Sequence, residues 1–134
     1  MADNMQGEIR RWQQLKQQAE SGEFRMEEGI GEALRARCET FLGELRSMKT
    51  MAQRLDRLSG YGGLPSAQTL QAKFEGKAAG GDSHDPNDSA VTRVQQHIEI
   101  VTLMRDTYAV AIGKLKATDE AAGSQMGNLT EEVR

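Results

Sequence analysis

Four sets of residues in this chain are of types that do chemistry. Cys38 is the one cysteine, and a thiolate is a nucleophile. It stands on an apolar helical seam with no histidine near it in sequence, a setting that fits core packing. His97 is a metal-ligand type, but the positions four residues either side are Arg93 and Val101, so no i, i+4 ligand pair forms. Residues 82–88 gather Asp82, His84, Asp85, Asn87 and Asp88, as calcium loops gather oxygen ligands. The central glycine and distal glutamate of an EF-hand are missing, and Pro86 breaks the alternation, so this reads as a solvated loop. The glycines of Ser59-Gly60-Tyr61-Gly62-Gly63-Leu64-Pro65-Ser66 resemble a phosphate cradle, but Pro65 replaces the third glycine of G-x-G-x-x-G and no strand precedes. No acid pair, triad or metal cluster emerges. The expectation is a protein that is not an enzyme, with no cofactor and no metal.

The elements that carry these residues read as helices. Met5, Ile9, Trp12, Leu15 and Ala19 make one helical face, and Ser21-Gly22 ends it. Trp12 on that face fits core or partner contact. Phe24 and Met26 alternate with charges, which predicts a short extended stretch. A long helix follows from about Glu27 to Leu58, a rod of roughly 48 Å. Its apolar positions Leu34, Cys38, Phe41, Leu45, Met48, Ala52 and Leu55 are spaced 4-3-4-3-4-3, the mark of helices packed lengthwise. Acids crowd its start and bases its end, as the helix dipole prefers. Ser66 is the expected N-cap of a short helix carrying Leu70 and Phe74. Asp88 or Ser89 is expected to cap a second long helix ending near Ala122, with Val94, Ile98, Val101, Tyr108, Ile112 and Leu115 as its stripe and Arg105 interrupting it. The predicted fold is all-α: an antiparallel hairpin of two long helices, a short helix in the connection and an additional N-terminal helix. The corresponding division is residues 1–22 for the first helix, 23–122 for the hairpin and 123–134 for a flexible tail.

Between the long helices the chain must reverse. The glycines of that stretch, Gly60, Gly62 and Gly63, permit positive φ there, and Pro65 blocks continuation of the first rod. Leu64, Leu70 and Phe74 are expected to close the end of the bundle as a lid, with the Tyr61 ring against them and its hydroxyl in water.

Composition narrows the partners. The chain has 134 residues, a formal net charge of −3 and a pI near 5.4. Lys and Arg are scattered among acids, a poor match for nucleic acid. Leu, Ile, Val and Phe make up 24 of the 134 residues. With so small a net charge, that predicts a thin core rather than disorder. A thin, elongated core is often completed by another chain. A lone cysteine leaves no internal disulfide. No apolar run is long enough to span a membrane, and the first residues carry no Sec-type leader.

The run "RLDRLSGYGGLPSAQTLQAKFEGKA", a polar gap and then "VQQHIEIVTLMRDTYAVAIGKLKATDEAA" resemble small all-helical actinobacterial proteins related to the WXG-type substrates of type VII (ESX) secretion. The resemblance covers residues 23 to 122. It implies a helical hairpin that pairs with itself or with a similar helical protein, as a homodimer or heterodimer, in a four-helix bundle, and export without a Sec signal. Two features of that pattern are absent. Trp12 is followed by Gln13-Gln14 rather than x-Gly, and Ile112 and Pro65 stand where a Tyr-x-x-x-Asp/Glu signal would place its acid after Tyr108 and Tyr61. The expected location is therefore the cytoplasm, or outside by the type VII route with a signal borrowed from a partner. The second reading is a cytoplasmic adaptor or chaperone-like protein binding a secreted client or toxin through Met48, Met51 and Met104, whose side chains adapt to varied surfaces.

Overall fold

A computed structural model describes the backbone of residues 2–81 and 85–133 and the side chains of residues 5–81 and 85–113. Among the described residues every regular element is helical: α1 (Ala2–Glu20), α2 (Glu28–Arg54), α3 (Pro65–Glu75) and α4 (Ala90–Val133), with a π-helical turn, Gly76–Gly80, directly after α3. The all-α expectation holds, including the short helix in the connection. The chain forms two compact units, Met1–Thr40 with Ile100–Arg134, and Phe41–Glu99.

In the first unit, α1 ends where Ser21-Gly22 predicts. Ser21 N–H donates to the Gln17 carbonyl at 2.9 Å, and Gly22 takes a φ of 85° that a side chain would resist. Residues 21–27 are non-helical, with Phe24 and Met26 half-buried. Met26 N–H donates to the Ala111 carbonyl at 3.3 Å, fixing this segment to α4. The Glu27 carboxylate then caps α2, accepting from the N–H groups of Gly29 at 2.7 Å and Ile30 at 3.1 Å. These are donors that the first helical turn leaves unpaired. Trp12 of α1 meets Tyr108 of α4 edge to face, with ring centroids 5.8 Å apart, so α1 docks on α4. Gly31 faces Ile112, and Arg105 donates to Glu39 at 3.2 Å. Rising numbers on α2 thus meet falling numbers on α4, an antiparallel pair.

In the second unit, α2 stops at Arg54, short of the expected Leu58. Its last turn tightens, with Leu55 and Asp56 N–H donating three residues back at 3.1 and 3.3 Å. Leu58 is instead held by α3: its N–H donates to Glu75 Oε2 at 3.0 Å, and its carbonyl accepts from Gln71 Nε2 at 2.8 Å. Gly60 and Gly62 have φ of 90° and 83°, as the reversal requires. Pro65 plays a different part from the one expected. Eleven residues beyond the end of α2, it opens α3 at its first helical position, with Leu64 rather than Ser66 at the cap. A proline is pre-set for that position because its missing N–H would be unpaired anyway. Ser89 caps α4, its Oγ accepting from Thr92 N–H at 3.2 Å. Lys49 Nζ donates to Gln95 Oε1 at 2.7 Å, tying α2 to α4 within this unit. The backbone of α4 runs on to Val133, so the ending expected near Ala122 is corrected. No proline interrupts that stretch.

Candidate interaction surface

The side chains of α2 sort into two faces. Gly31, Cys38, Leu42, Leu45 and Ala52 are buried. Ile30, Leu34, Phe41, Met48 and Met51, with Leu55 in the tightened turn just past the helix, are large, apolar and exposed, from 38% at Leu34 to 61% at Ile30. The inner row steps 7-4-3-7; Ile30, Phe41 and Met51 each sit one residue before a buried position, and Leu34 and Met48 one residue before the half-buried Arg35 and Lys49. One residue is about 100° of rotation. The helix therefore carries two apolar faces at roughly a right angle, and only one of them is covered.

The spacing alone leaves open which stripe positions face the neighbouring helix and which stay available to a partner. The single 4-3 stripe straddles the two faces. Cys38, Leu45 and Ala52 turn inward, whereas Leu34, Phe41, Met48 and Leu55 turn out. Leu42, fully buried, and Gly31 were missed. For Gly31 the reason is size. A Cβ on Gly31 would collide with Ile112 Cγ1 and lie 2.8 Å from its Cδ1. Gly31 carries too little apolar bulk to stand out in the spacing, although Leu42 and Leu45 on the same line are as large as Leu34. On α4, Val101 and Ile112 are buried, and Val94, Ile98 and Tyr108 are half-buried. Leu115 lies outside the described side chains. Thr107 and Ala111, fully buried, were not anticipated. Thr107 is accommodated because its hydroxyl donates to the Leu103 carbonyl at 2.7 Å. Arg105 interrupts the stripe harmlessly, paired with Asp106 at 3.1 Å and Glu39 at 3.2 Å.

The expected lid does not close. Leu64, Leu70 and Phe74 stay exposed, at 70%, 46% and 47%. Tyr61 does reach Phe74, with ring centroids 6.2 Å apart. No side chain of α3 is buried, because α3 is held through the Leu58 backbone rather than by packing of its apolar face.

Beside the outer face of α2 runs a row of small exposed residues, Ala33, Ala36, Thr40, Gly43, Ser47 and Thr50. Thr40 and Thr50 donate their hydroxyls to the carbonyls of Ala36 at 3.2 Å and Arg46 at 3.1 Å, so these polar atoms already have partners. Arg46, Ser47, Thr50, Met51 and Arg54 line a shallow open depression there. Glu32 and Arg35 form a forked pair, with contacts of 2.9 to 3.2 Å. Hydrogen bonding to Arg35 holds the Glu32 carboxyl below the usual range, and the guanidinium is raised in turn. Arg37 and Glu44 have no ion-pair partner among the described residues.

Among the described residues first considered for chemistry, Cys38 lies in the core, and His97, Asp85 and Asp88 each have a contact within the chain. Cys38 is buried; desolvation raises its thiol pKa, and nearby Arg105 only partly opposes this. His97 is exposed and donates from Nδ1 to the Arg93 carbonyl at 2.7 Å. Asp82 and His84 lie outside the described residues. Asp88 pairs with Lys77, and Arg93 lies 3.9 Å from both Asp85 and Asp88. Among the described residues no cluster of His, Cys, Asp or Glu is placed to hold a metal, and no helix is long and apolar enough to cross a membrane. No protein family, curated protein or solved structure matches the chain.

Proposed function

We propose that this chain is a non-enzymatic helical interaction protein that pairs, through the outer face of α2, with itself or with a similar small helical protein. One observation carries this reading. Among the described residues the buried apolar side chains are mostly small: Ala19, Cys38, Ala52, Ala78 and Ala111 beside Leu42, Leu45, Val101 and Ile112. Large ones are left exposed, among them Ile30, Leu34, Phe41, Met48 and Met51 along one face of α2. Isolated chains rarely leave contiguous apolar surface in water, and where they do it marks an interaction site. Burying such side chains is worth about 25 cal/mol per Å².

A photo-crosslinking residue placed in the native host at Phe41, Met48 or Met51 tests this, with Glu39 and Gln53 as exposed controls. Adducts from the first set alone are expected. Equal labelling from the controls, or none from the stripe, would count against an interaction role. The resemblance to WXG-type proteins makes type VII secretion the proposed context, with any export signal supplied by the partner. Presence in culture filtrate, lost when the secretion apparatus is disabled, is the expected result, and retention inside the cell would point to the adaptor reading. Exposure of Met48 and Met51, at 47% and 56%, favours that second reading. It predicts adducts with a chain other than this one.

A further inference from the structure

Resting on that interaction reading, we propose that the occupant of the outer α2 face is the α2 of a second copy, lying antiparallel, with Arg37 and Glu44 selecting the orientation. The outer face alternates 4-3 without a break through Ile30, Leu34, Arg37, Phe41, Glu44, Met48, Met51 and Leu55. Arg37 and Glu44 are its two polar positions. Both are exposed, they are opposite in sign, and they stand either side of Phe41.

Orientation decides what they meet. Between parallel copies in register each position faces itself, so Arg37 would face Arg37 and Glu44 would face Glu44 in the middle of the seam. Like charges at such positions are a strong penalty against that arrangement. Antiparallel copies centred between Leu42 and Gly43 pair differently. Ile30 faces Leu55, Leu34 faces Met51, Arg37 faces Met48 and Phe41 faces Glu44. Arg37 then stands about 6 Å along the axis from Glu44 of the second copy, four residues at 1.5 Å. That is within reach of an arginine, and symmetry makes the pair twice. A two-fold dimer requires such self-complementarity.

The small-residue row supports the same centre independently. Ala33 to Thr50 is centred between Phe41 and Leu42, one residue from the centre of the apolar row. A second helix seated there would meet small side chains on this flank from Ala33 to Thr50, with Arg46 and Arg54 at its end, and the threonine hydroxyls need no new partner.

Sedimentation equilibrium and a distance measurement test this together. The native chain should be a dimer. Arg37→Glu and Glu44→Arg should each weaken it at least about tenfold with helicity unchanged, and the Arg37→Glu/Glu44→Arg double variant should restore it. Failure of the double variant to restore pairing would overturn the charge selection. In a Cys38→Ala background, spin labels at Ile30→Cys should lie roughly 37 Å apart along the axis, twenty-five residues at 1.5 Å. Labels side by side would overturn the orientation. A native chain that stays monomeric at high concentration while its stripe crosslinks to another protein would remove the second copy as occupant and leave the interaction reading intact. A monomer with no crosslinks would remove both.

Discussion

Leu42 and Phe41 are neighbours in the chain with opposite surroundings, one fully buried and the other 44% exposed. Leu42→Ala should therefore cost about 2–5 kcal/mol of unfolding free energy, in the range for a core leucine. Phe41→Ala, measured in dilute protein, should cost well under that. Urea melts of the two variants check this, and the reverse order would invalidate the two-faced reading of α2. Gly31→Ala sets a gain in helix propensity of about 1 kcal/mol against the collision with Ile112. Ile112 is itself buried, so overpacking of about 1–3 kcal/mol should win, and the melting temperature should fall. Burial also raises the Cys38 thiol and the Tyr108 phenol above their ordinary values. A raised pKa means the folded state holds its proton more tightly. The stabilisation is complete below the unfolded-state value and is lost as pH rises through the folded one. Unfolding free energy should thus fall from about pH 8.5 upward, and less steeply in Cys38→Ala. A pH series of denaturant melts on both proteins provides the measurement.

At the scale of elements, caps and clamps decide where helices stop. The Ser21-Gly22 end was legible, and the cap of α4 was narrowed to Asp88 or Ser89, because each depends on a residue's own side chain or its permitted φ. Ser89→Ala should cost about 1 kcal/mol, read as a lowered melting temperature. The end of α2 was not legible, because nothing between Arg54 and Leu58 forbids a helix. Tertiary hydrogen bonds from Gln71 and Glu75 to the Leu58 backbone compete for that segment. Removing the Glu75 acceptor leaves the Leu58 N–H without a partner, at about 1–3 kcal/mol if it stays buried. Glu75→Ala should accordingly speed amide exchange across residues 55–75 while α1 exchanges as before. Unchanged exchange there would show that the clamp does not hold α3.

For the whole molecule, the distribution of large and small apolar side chains matters more than their total. A chain that leaves Ile30, Leu34, Phe41, Met48, Met51 and Leu55 exposed gains stability by mass action when a partner covers them. The native melting temperature should rise with protein concentration. Glutamine at Phe41, Met48 and Met51 together should remove that dependence without lowering helicity. A native melting temperature independent of concentration would argue against self-pairing. The sequence by itself determined the helical class, the segments that are helical and the glycine-rich reversal, because period, caps and backbone freedom are local properties. It also showed that the α2 apolar positions repeat with a 4-3 period. Which of two faces 100° apart that period belongs to was decided only in the tertiary structure. The choice depended on how closely another helix could approach, and at Gly31 that is set by the absence of a side chain facing Ile112.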